Sequence, residues 1–464
     1  MPTLEITEAL ERALGPTNVS VTDSDRDARS HDSWPVSSVW AKLGRHPHRP
    51  DVVVHVKNAA EIAAVMRIAN AGDLPVTAWG LGSSVTGQPL PVRGGILLDL
   101  SDLVGEPLLD ETNLLVTAPA GVRGSDLETW LNDRNLTLNF SPQSLFRSTI
   151  GGWVATRATG QFSSRYGGIE NILLSYDAVL ANGSIVSLGQ RPRAAMGPDL
   201  KQILIGSEGT LGVVTSVTLK VFRPAQKRLM DALELDDIET GLTIMREVAQ
   251  LGLRPFLVRL YDSDEARHAV GNQASPKPVL FLGFEGEPAV ADAERSVAIA
   301  LAEGYGARAI GSAPVEAWMS RRFDFSTVEN LLAEPGGYAE TVEVANLWDA
   351  LPAMYAELKS ALAPLAGEVL GHFSHVYEQG SSLYMILLGK AETDEVALAR
   401  LEAIWTTAME IVVAHNGEIS HHHGGGLARQ AWVRRSLGSG FEVLEKLKSA
   451  LDPNSILNPG KLGM

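Results

Sequence analysis

Three adjacent histidines, His421, His422 and His423, are the residues of this chain best suited to chemistry. Three glycines, 424–426, follow them, so we expect a loop. Imidazole exchanges protons near neutral pH and also ligates metals. In an extended segment alternate side chains point oppositely, so His421 and His423 are expected to share a face. Proton transfer, a metal site and a plain polar loop all remain open, and adjacent histidines favour a functional role.

A metal site would need further ligands, and the segment GHFSH offers only His372 and His375. The HExxH motif is absent, and so is cysteine. Disulfides, thiolate–zinc sites, Cys-ligated iron–sulfur clusters and a cysteinyl-linked cofactor are therefore excluded. We predict that the chain holds no metal.

Two more side chains could contribute to a reaction. Tyr377 follows GHFSH closely and is either a proton or hydrogen-bond donor or an ordinary core residue. Arg259 lies in the apolar strand PFLVRLYD, where a charge needs a partner. That partner is either an anionic substrate group or a buried ion pair with Asp262 or Asp264.

The elements that must position these residues include a glycine-rich stretch, Ser148–Thr215. It opens with STIGGWVATRATG, closes with IGSEGTLGVVT, and its middle predicts a hairpin. Glycine at this density, with flanking hydroxyls, either forms tight turns or brings backbone N–H groups close to a ligand.

A second glycine-rich loop, Gly80–Gly87, follows a predicted strand at 75–79. Val85 stands where a dinucleotide fingerprint has its third glycine, and no helix follows the loop. A Rossmann site needs that helix for the pyrophosphate, so this interpretation fails. Successive backbone amides of the loop can still form an anion-binding nest.

The composition is that of an ordinary globular protein, with 45% hydrophobic and 20% charged residues among 464. A net charge of −16 argues against nucleic acid or an anionic membrane as the partner. No apolar run reaches the roughly 18 residues of a membrane span, and no secretory signal precedes the first predicted helix. We expect a cytoplasmic protein.

The order of predicted elements suggests a first domain at residues 1–224 and a separate α+β domain at 225–415. A C-terminal segment, 416–464, brings the histidines back to the site. Residues 304–337 are expected to be irregular.

Taken together, GLGSSVTG, STIGGWVATRATG, YGGIENIL, IGSEGTLGVVT and the C-terminal NPGKLG resemble the FAD-linked oxidase family, which shares the vanillyl-alcohol-oxidase-type FAD-binding fold. The resemblance runs from residue 50 to the C-terminus. Through GWVATRATG, the Tyr in VYEQG and SHHHG, the chain is most similar to the alkylglycerone-phosphate synthases of that family. The resemblance implies an α+β fold with two FAD-binding subdomains, a substrate cap and a tail returning to the flavin.

The resemblance also assigns residues to the cofactor. The pyrophosphate is assigned to Gly80, Gly82, Ser83, Ser84 and Val85. The flavin and its ribityl chain are assigned to Pro142, Ser148, Thr149, Gly151, Gly152, Thr156, Gly160, Glu208, Gly212, Val213 and Val214. Tyr377 and His421–His423 would face the flavin from the substrate side, and Arg259 matches an arginine important for activity. Since no histidine lies in the Gly80–Gly87 loop, we expect non-covalent FAD.

Some positions depart from the family patterns. Glu329 or Asn330 stands near the phosphate-binding arginine of the synthases, where a glutamate would repel phosphate, and Leu427 replaces a lysine. Relative to the D-lactate and D-2-hydroxyglutarate dehydrogenases, two metal-ligand positions are kept and two are replaced. The kept positions are His372 and His423, and the replaced ones are Gln379 and His422.

We therefore expect an FAD-dependent oxidoreductase, either an oxidase or a dehydrogenase. It would take hydride from a hydroxyl-bearing, anionic small molecule such as a 2-hydroxy acid. The alternative is a non-redox flavoenzyme that, like the synthases, exchanges an acyl for an alkoxy group. The sequence leaves open the electron acceptor and the oligomeric state, for which a homodimer is one alternative.

Overall fold

The computed structural model describes residues 4–189, 192–270 and 277–464. Its strands form three sheets, and helices cover them. The α-helices are α1 Leu4–Leu14, α2 Asp23–Ala28, α3 Pro35–Lys42, α4 Ala59–Ala71, α5 Gly124–Asn132, α6 Ile150–Thr156, α7 Ser163–Tyr166, α8 Ile169–Ile172, α9 Ile238–Gln250, α10 Ser263–Val270, α11 Pro288–Gly304, α12 Ala313–Arg321, α13 Ser326–Ala333, α14 Leu351–Leu362, α15 Asp394–Ala414, α16 Gln430–Leu437 and α17 Phe441–Leu451. This mixed helix-and-sheet architecture agrees with the predicted fold class.

The first sheet has four strands in the order β1-β2-β4-β3. They are β1 Val19–Ser20, β2 Val52–His55, β3 Val76–Trp79 and β4 Ile96–Asp99. β2, β4 and β3 are parallel, and their side chains are largely buried, as expected for a sheet covered on both faces. Because β3 ends at Trp79, the Gly80–Gly87 loop leaves from the carboxyl edge of this sheet.

The second sheet is antiparallel, in the order β5-β6-β9-β7-β8. It contains β5 Leu108–Asp110, β6 Leu115–Pro119, β7 Leu173–Val179, β8 Ile185–Gly189 and β9 Val213–Lys220. β7 and β8 form the predicted hairpin. The first two sheets share one apolar core, to which Ile456 and Leu457 of the tail also belong.

The third sheet has seven strands in the order β13-β10-β12-β11-β15-β16-β14. They are β10 Lys227–Glu234, β11 Leu257–Tyr261, β12 Val279–Gly286, β13 Arg308–Gly311, β14 Gly337–Leu347, β15 Glu368–Val376 and β16 Gly380–Lys390. One face packs an apolar core against α9, α14 and α15. The prediction that residues 304–337 are irregular is wrong, since they contain β13, α12 and α13.

The opposite face of this sheet carries a polar row across four strands. Tyr261 pairs with His372, His372 with Tyr384, and Tyr384 with Glu343. Directly paired residues of antiparallel strands lie on one face, so the register alone brings these four side chains side by side.

Candidate active site

Two buried carboxylates hold the histidine loop in place. Glu343 of β14 accepts hydrogen bonds from the His422 backbone N–H at 2.5 Å and from Arg429 Nη2 at 3.1 Å. Glu208 accepts from the Gly425 and Gly426 backbone N–H groups at 2.6 and 3.0 Å. The loop is therefore fixed from two separate parts of the fold.

The three histidine side chains lie close together. His421 Nε2 lies 2.7 Å from the Tyr377 hydroxyl, and His421 Nδ1 lies 2.7 Å from His422 Nδ1. His422 Nε2 lies 2.5 Å from the Tyr384 hydroxyl. The expected alternation, with His422 pointing away from its neighbours, is wrong because the loop is bent by its bonds to the two carboxylates.

Arg259 is held by neighbours on the polar face of the third sheet. Its Nη2 donates to His372 Nε2 at 2.7 Å and its Nε donates to the Tyr261 hydroxyl at 2.8 Å. Arginine can only donate, so His372 carries its proton on Nδ1 and donates it to Glu265 at 2.8 Å. Both ring nitrogens of His372 are thus engaged.

The alternative of an Arg259 ion pair with Asp262 or Asp264 is wrong. Both aspartates pair with Lys359, at 2.5 and 3.0 Å. The Arg259 guanidinium instead lies over the rings of Tyr261 and Trp318, 5.2 and 5.4 Å from their centroids.

Sequence reasoning placed His375 only among possible metal ligands. His372 and His375 are three residues apart, so in a regular strand they would point to opposite faces. The register of β15 shifts between Ser374 and Val376, and His375 has a φ of 53°. This bulge turns the imidazole onto His421, at a ring distance of 5.1 Å, and its Nδ1 lies 2.7 Å from Ser163 Oγ.

Burial keeps most of this cluster neutral. It lowers the pKa values of His421 and His423 to about 3 and that of His375 well below its usual range. It also raises the pKa of Tyr384 well above its usual range. A neutral imidazole has one donor and one acceptor nitrogen, so these histidines can transmit a proton through hydrogen bonds without storing it.

Glu343 differs from the rest of the cluster. Burial alone would raise its pKa, but the hydrogen-bonded His422 and the Arg429 guanidinium outweigh that effect and hold the pKa well below the usual range. Its ionised carboxylate is therefore the counter-charge of Arg429 and accepts the backbone N–H of the loop.

Glu343, His421 and His422 are also the described residues whose potential ligand atoms lie within 4.8 Å of one another. The Glu343 carboxylate is already bound by Arg429 and the His422 N–H. Our expectation of no metal stays a prediction.

The glycine-rich segments assigned to the cofactor meet at α6. A Cβ on Gly80 would lie 2.8 Å from Thr149 Oγ1, so the Gly80–Gly87 loop abuts the start of α6. At the other end of α6, Glu208 N donates to Ala155 O at 2.8 Å. Gly160, which follows α6 in the chain, packs against the backbone of Phe140, so that a Cβ there would lie 1.2 Å from Phe140 O.

Two unpartnered polar atoms near these segments suit a polar cofactor. Ser141 Oγ and Gln161 Oε1 are buried beside Pro142 and Gly160 and have no hydrogen-bond partner within the described parts of the chain. Such atoms cost free energy unless a bound group satisfies them. The Glu208 carboxylate, in contrast, binds the histidine loop, and Val213 and Val214 begin β9.

The comparisons with known proteins agree with a cofactor site in these segments. A model of the C-terminal domain of FAD linked oxidases matches residues 224–462, and an FAD binding domain matches residues 50–189. The chain belongs to the FAD-linked oxidase family. It is an FAD enzyme, and FAD is its cofactor.

Curated relatives span most of the chain. The uncharacterized FAD-linked oxidoreductase YgcU of Escherichia coli strain K12 is 30% identical over 429 residues, 89% of each chain. Alkyldihydroxyacetonephosphate synthase of Trypanosoma brucei brucei is 28% identical over 89% of this chain and 73% of its own. The probable mitochondrial D-lactate dehydrogenase of Danio rerio is 27% identical over 89% and 84%.

Solved structures show the same fold. An alkyldihydroxyacetonephosphate synthase superposes with a TM-score of 0.82 at 21% identity, over 99% of this chain and 85% of its own. Substrate-bound p-cresol methylhydroxylase gives 0.81 at 14%, over 99% and 96%. In the described part of this chain, no helix has the length and apolar character to cross a membrane.

Proposed function

We propose that this FAD enzyme oxidises a small, anionic, hydroxyl-bearing substrate, of which a 2-hydroxy acid is the simplest example. The observation that carries the proposal is Arg259, whose guanidinium is fixed by His372 and Tyr261 on the face that also carries the histidine cluster. A fixed guanidinium suits a carboxylate, which it binds through two parallel hydrogen bonds. A D-lactate dehydrogenase among the relatives supports the same substrate class.

In this proposal FAD is bound without a covalent link. Its pyrophosphate is held by the Gly80–Gly87 loop and its flavin by segments 142–160 and 206–214, with the residues assigned in the sequence. Bound FAD supplies the two-electron acceptor for the hydride.

The protein's own residues orient the substrate and take up its proton. Arg259 binds the carboxylate, and one of the three histidines accepts the hydroxyl proton with help from Tyr377. His423 Nδ1 is buried without a hydrogen-bond partner in the described residues, so it can hydrogen-bond to the bound substrate.

The second candidate is acyl-for-alkoxy exchange, favoured by the synthase relative and by the pairing of Tyr377 with the histidine loop. The charge around Glu329 argues against it. Glu329 forms an exposed ion pair with Arg147. The Arg147 charge near that position is therefore already compensated and is not free to bind a phosphate.

The test is anaerobic mixing of the holoenzyme with matched substrates, followed by the visible absorbance of the flavin. D- and L-lactate and 2-hydroxyglutarate are compared with 1-propanol, which lacks the carboxylate, and with a phenol. We expect bleaching by one of the acids and none by the alcohol. Arg259→Gln should raise the KM for the acid by about tenfold or more, whereas Arg267→Gln, an exposed neighbour on α10, should not.

Two results would overturn the proposal. One is bleaching by alcohols or phenols alone, with Arg259→Gln unchanged. The other is a flavin that no compound bleaches while acyl-dihydroxyacetone phosphate and a fatty alcohol are turned over.

A further inference from the structure

Four side chains form one unbroken line of hydrogen bonds. The line runs from the Tyr377 hydroxyl to His421 Nε2 at 2.7 Å, from His421 Nδ1 to His422 Nδ1 at 2.7 Å, and from His422 Nε2 to the Tyr384 hydroxyl at 2.5 Å. We propose that Tyr384, His422, His421 and Tyr377 form a proton relay that carries the substrate's hydroxyl proton out to solvent. The proposal rests on the oxidoreductase function proposed above.

Hydrogen-bond chemistry makes this line directional. A neutral imidazole has one donor and one acceptor nitrogen, so the two facing Nδ1 atoms can bond only if one carries a proton and the other does not. That choice fixes which Nε2 is protonated on each ring and hence the role of each tyrosine hydroxyl. The same heavy atoms satisfy two opposite polarities, as a proton wire requires.

The two ends of the line have different surroundings. Tyr377 is 44% exposed and lines a cavity of about 440 Å³ together with Ser164, Val248 and Leu253. Tyr384 is the inner end: its ring stacks on His372 at 4.6 Å and 17°, and His372 holds Arg259. The relay thus begins next to the arginine proposed to bind the substrate and ends at solvent.

The proton balance is as follows. When the substrate C–H hydride leaves with two electrons for FAD, the substrate O–H bond also breaks and its proton goes to the Tyr384 oxygen. Tyr384 passes its own proton to His422 Nε2, and His422 passes the one on Nδ1 to His421 Nδ1. His421 passes the proton on Nε2 to Tyr377, which releases one to water, so the polarity of the line is reversed.

The groups around His421 and His422 favour transfer of the proton along the line and do not favour a stable charge on either ring. Glu343 Oε1 lies 3.2 Å from His422 Nδ1 and stabilises a proton in transit there. His375 stacks on His421, and His423 lies 4.6 Å from the His422 ring. Arg429 already pairs with Glu343. The carboxylate therefore compensates only part of a positive charge on either imidazole, so that charge does not stay there.

The test compares Tyr384→Phe and Tyr377→Phe with Tyr338→Phe, a tyrosine of the same sheet whose hydroxyl donates to the Leu365 carbonyl. The first readout is the anaerobic rate of flavin reduction by an acid found to bleach wild type, in water and in deuterium oxide. We expect each relay variant to slow reduction by about 10²-fold or more and to lose the multi-proton solvent isotope effect of wild type. Tyr338→Phe should keep both, and all variants should retain FAD.

The second readout needs no substrate. Nitrogen-15 NMR of holoenzyme labelled at histidine reports which nitrogen of each imidazole carries the proton. In a relay, Tyr384→Phe must change the tautomer population of His421, which it does not touch, because the line is continuous through His422. An unchanged His421 tautomer population in Tyr384→Phe would overturn the relay. Unchanged reduction rates and isotope effects in both relay variants would also overturn it. If the tautomers are coupled but no substrate bleaches the flavin, the oxidoreductase proposal fails and the proton line stands.

Discussion

The contact between Glu343 and Arg429 gives the sharpest stability prediction, because both side chains are completely buried. Glu343→Gln keeps the volume and one acceptor for the His422 N–H but removes the charge opposite Arg429. Breaking one partner of a buried pair costs about 3–5 kcal/mol, since the other charge stays unpaired. Over a cooperative unit of about 150–250 residues this lowers the melting temperature by roughly 6–20 °C.

The assay is thermal unfolding of the FAD-loaded protein, followed by tryptophan fluorescence. Glu410→Gln is the matched control: Glu410 also pairs with an arginine, Arg435 at 2.7 Å, but both side chains are about half exposed. We expect no measurable shift there, because water and salt screen such a pair. Equal melting temperatures for Glu343→Gln and wild type would refute the reasoning that this pair anchors the loop.

Two further predictions concern a neighbouring carboxyl and the cofactor loop. Burial raises the pKa of Glu340 to about 8 from 4.5, so its contribution to stability is complete below pH 4.5 and is lost as pH rises through 8. Glu340→Gln should therefore melt higher than wild type at pH 9 by the equivalent of a few kcal/mol and about equally at pH 4, below the unfolded pKa; a constant difference across pH would contradict this. Gly82→Ala should weaken FAD binding to the apoprotein about 10–100-fold in a fluorescence titration, because its Cβ would lie 2.5 Å from the Trp79 ring. Gly306→Ala has a similar positive φ but open space, and an equal loss there would sink the explanation.

Local patterns predicted the cofactor-binding half well. The strand before the Gly80–Gly87 loop and the hairpin at β7 and β8 are encoded within a few residues of sequence. The failed Rossmann interpretation was equally local, since the chain after Gly87 continues through turns to β4. The family and FAD followed from the glycine motifs.

The partners of the candidate catalytic residues were not predictable in this way. Tyr384 meets His422 through strand register and a loop 38 residues further along the chain. His375 enters the site only because a bulge reverses the face that its spacing predicts. The sequence singled out Arg259, but its bond to His372 depends on the pairing of β11 with β15.

The two carboxylates that hold the histidine loop come from different parts of the fold, so each part can affect the loop by itself. Glu208 belongs to the segment between α6 and β9. Its φ of 52° lies in the left-handed region, as in a tight turn, and its carboxylate binds Gly425. Glu343 belongs to the seven-stranded sheet, together with Tyr384 and His372. A change in the sheet can therefore re-orient the histidines while Glu208 continues to bind Gly425 and Gly426. A change at Glu208 would loosen the same loop from the cofactor side, so the loop keeps its geometry only while both halves of the molecule are in place.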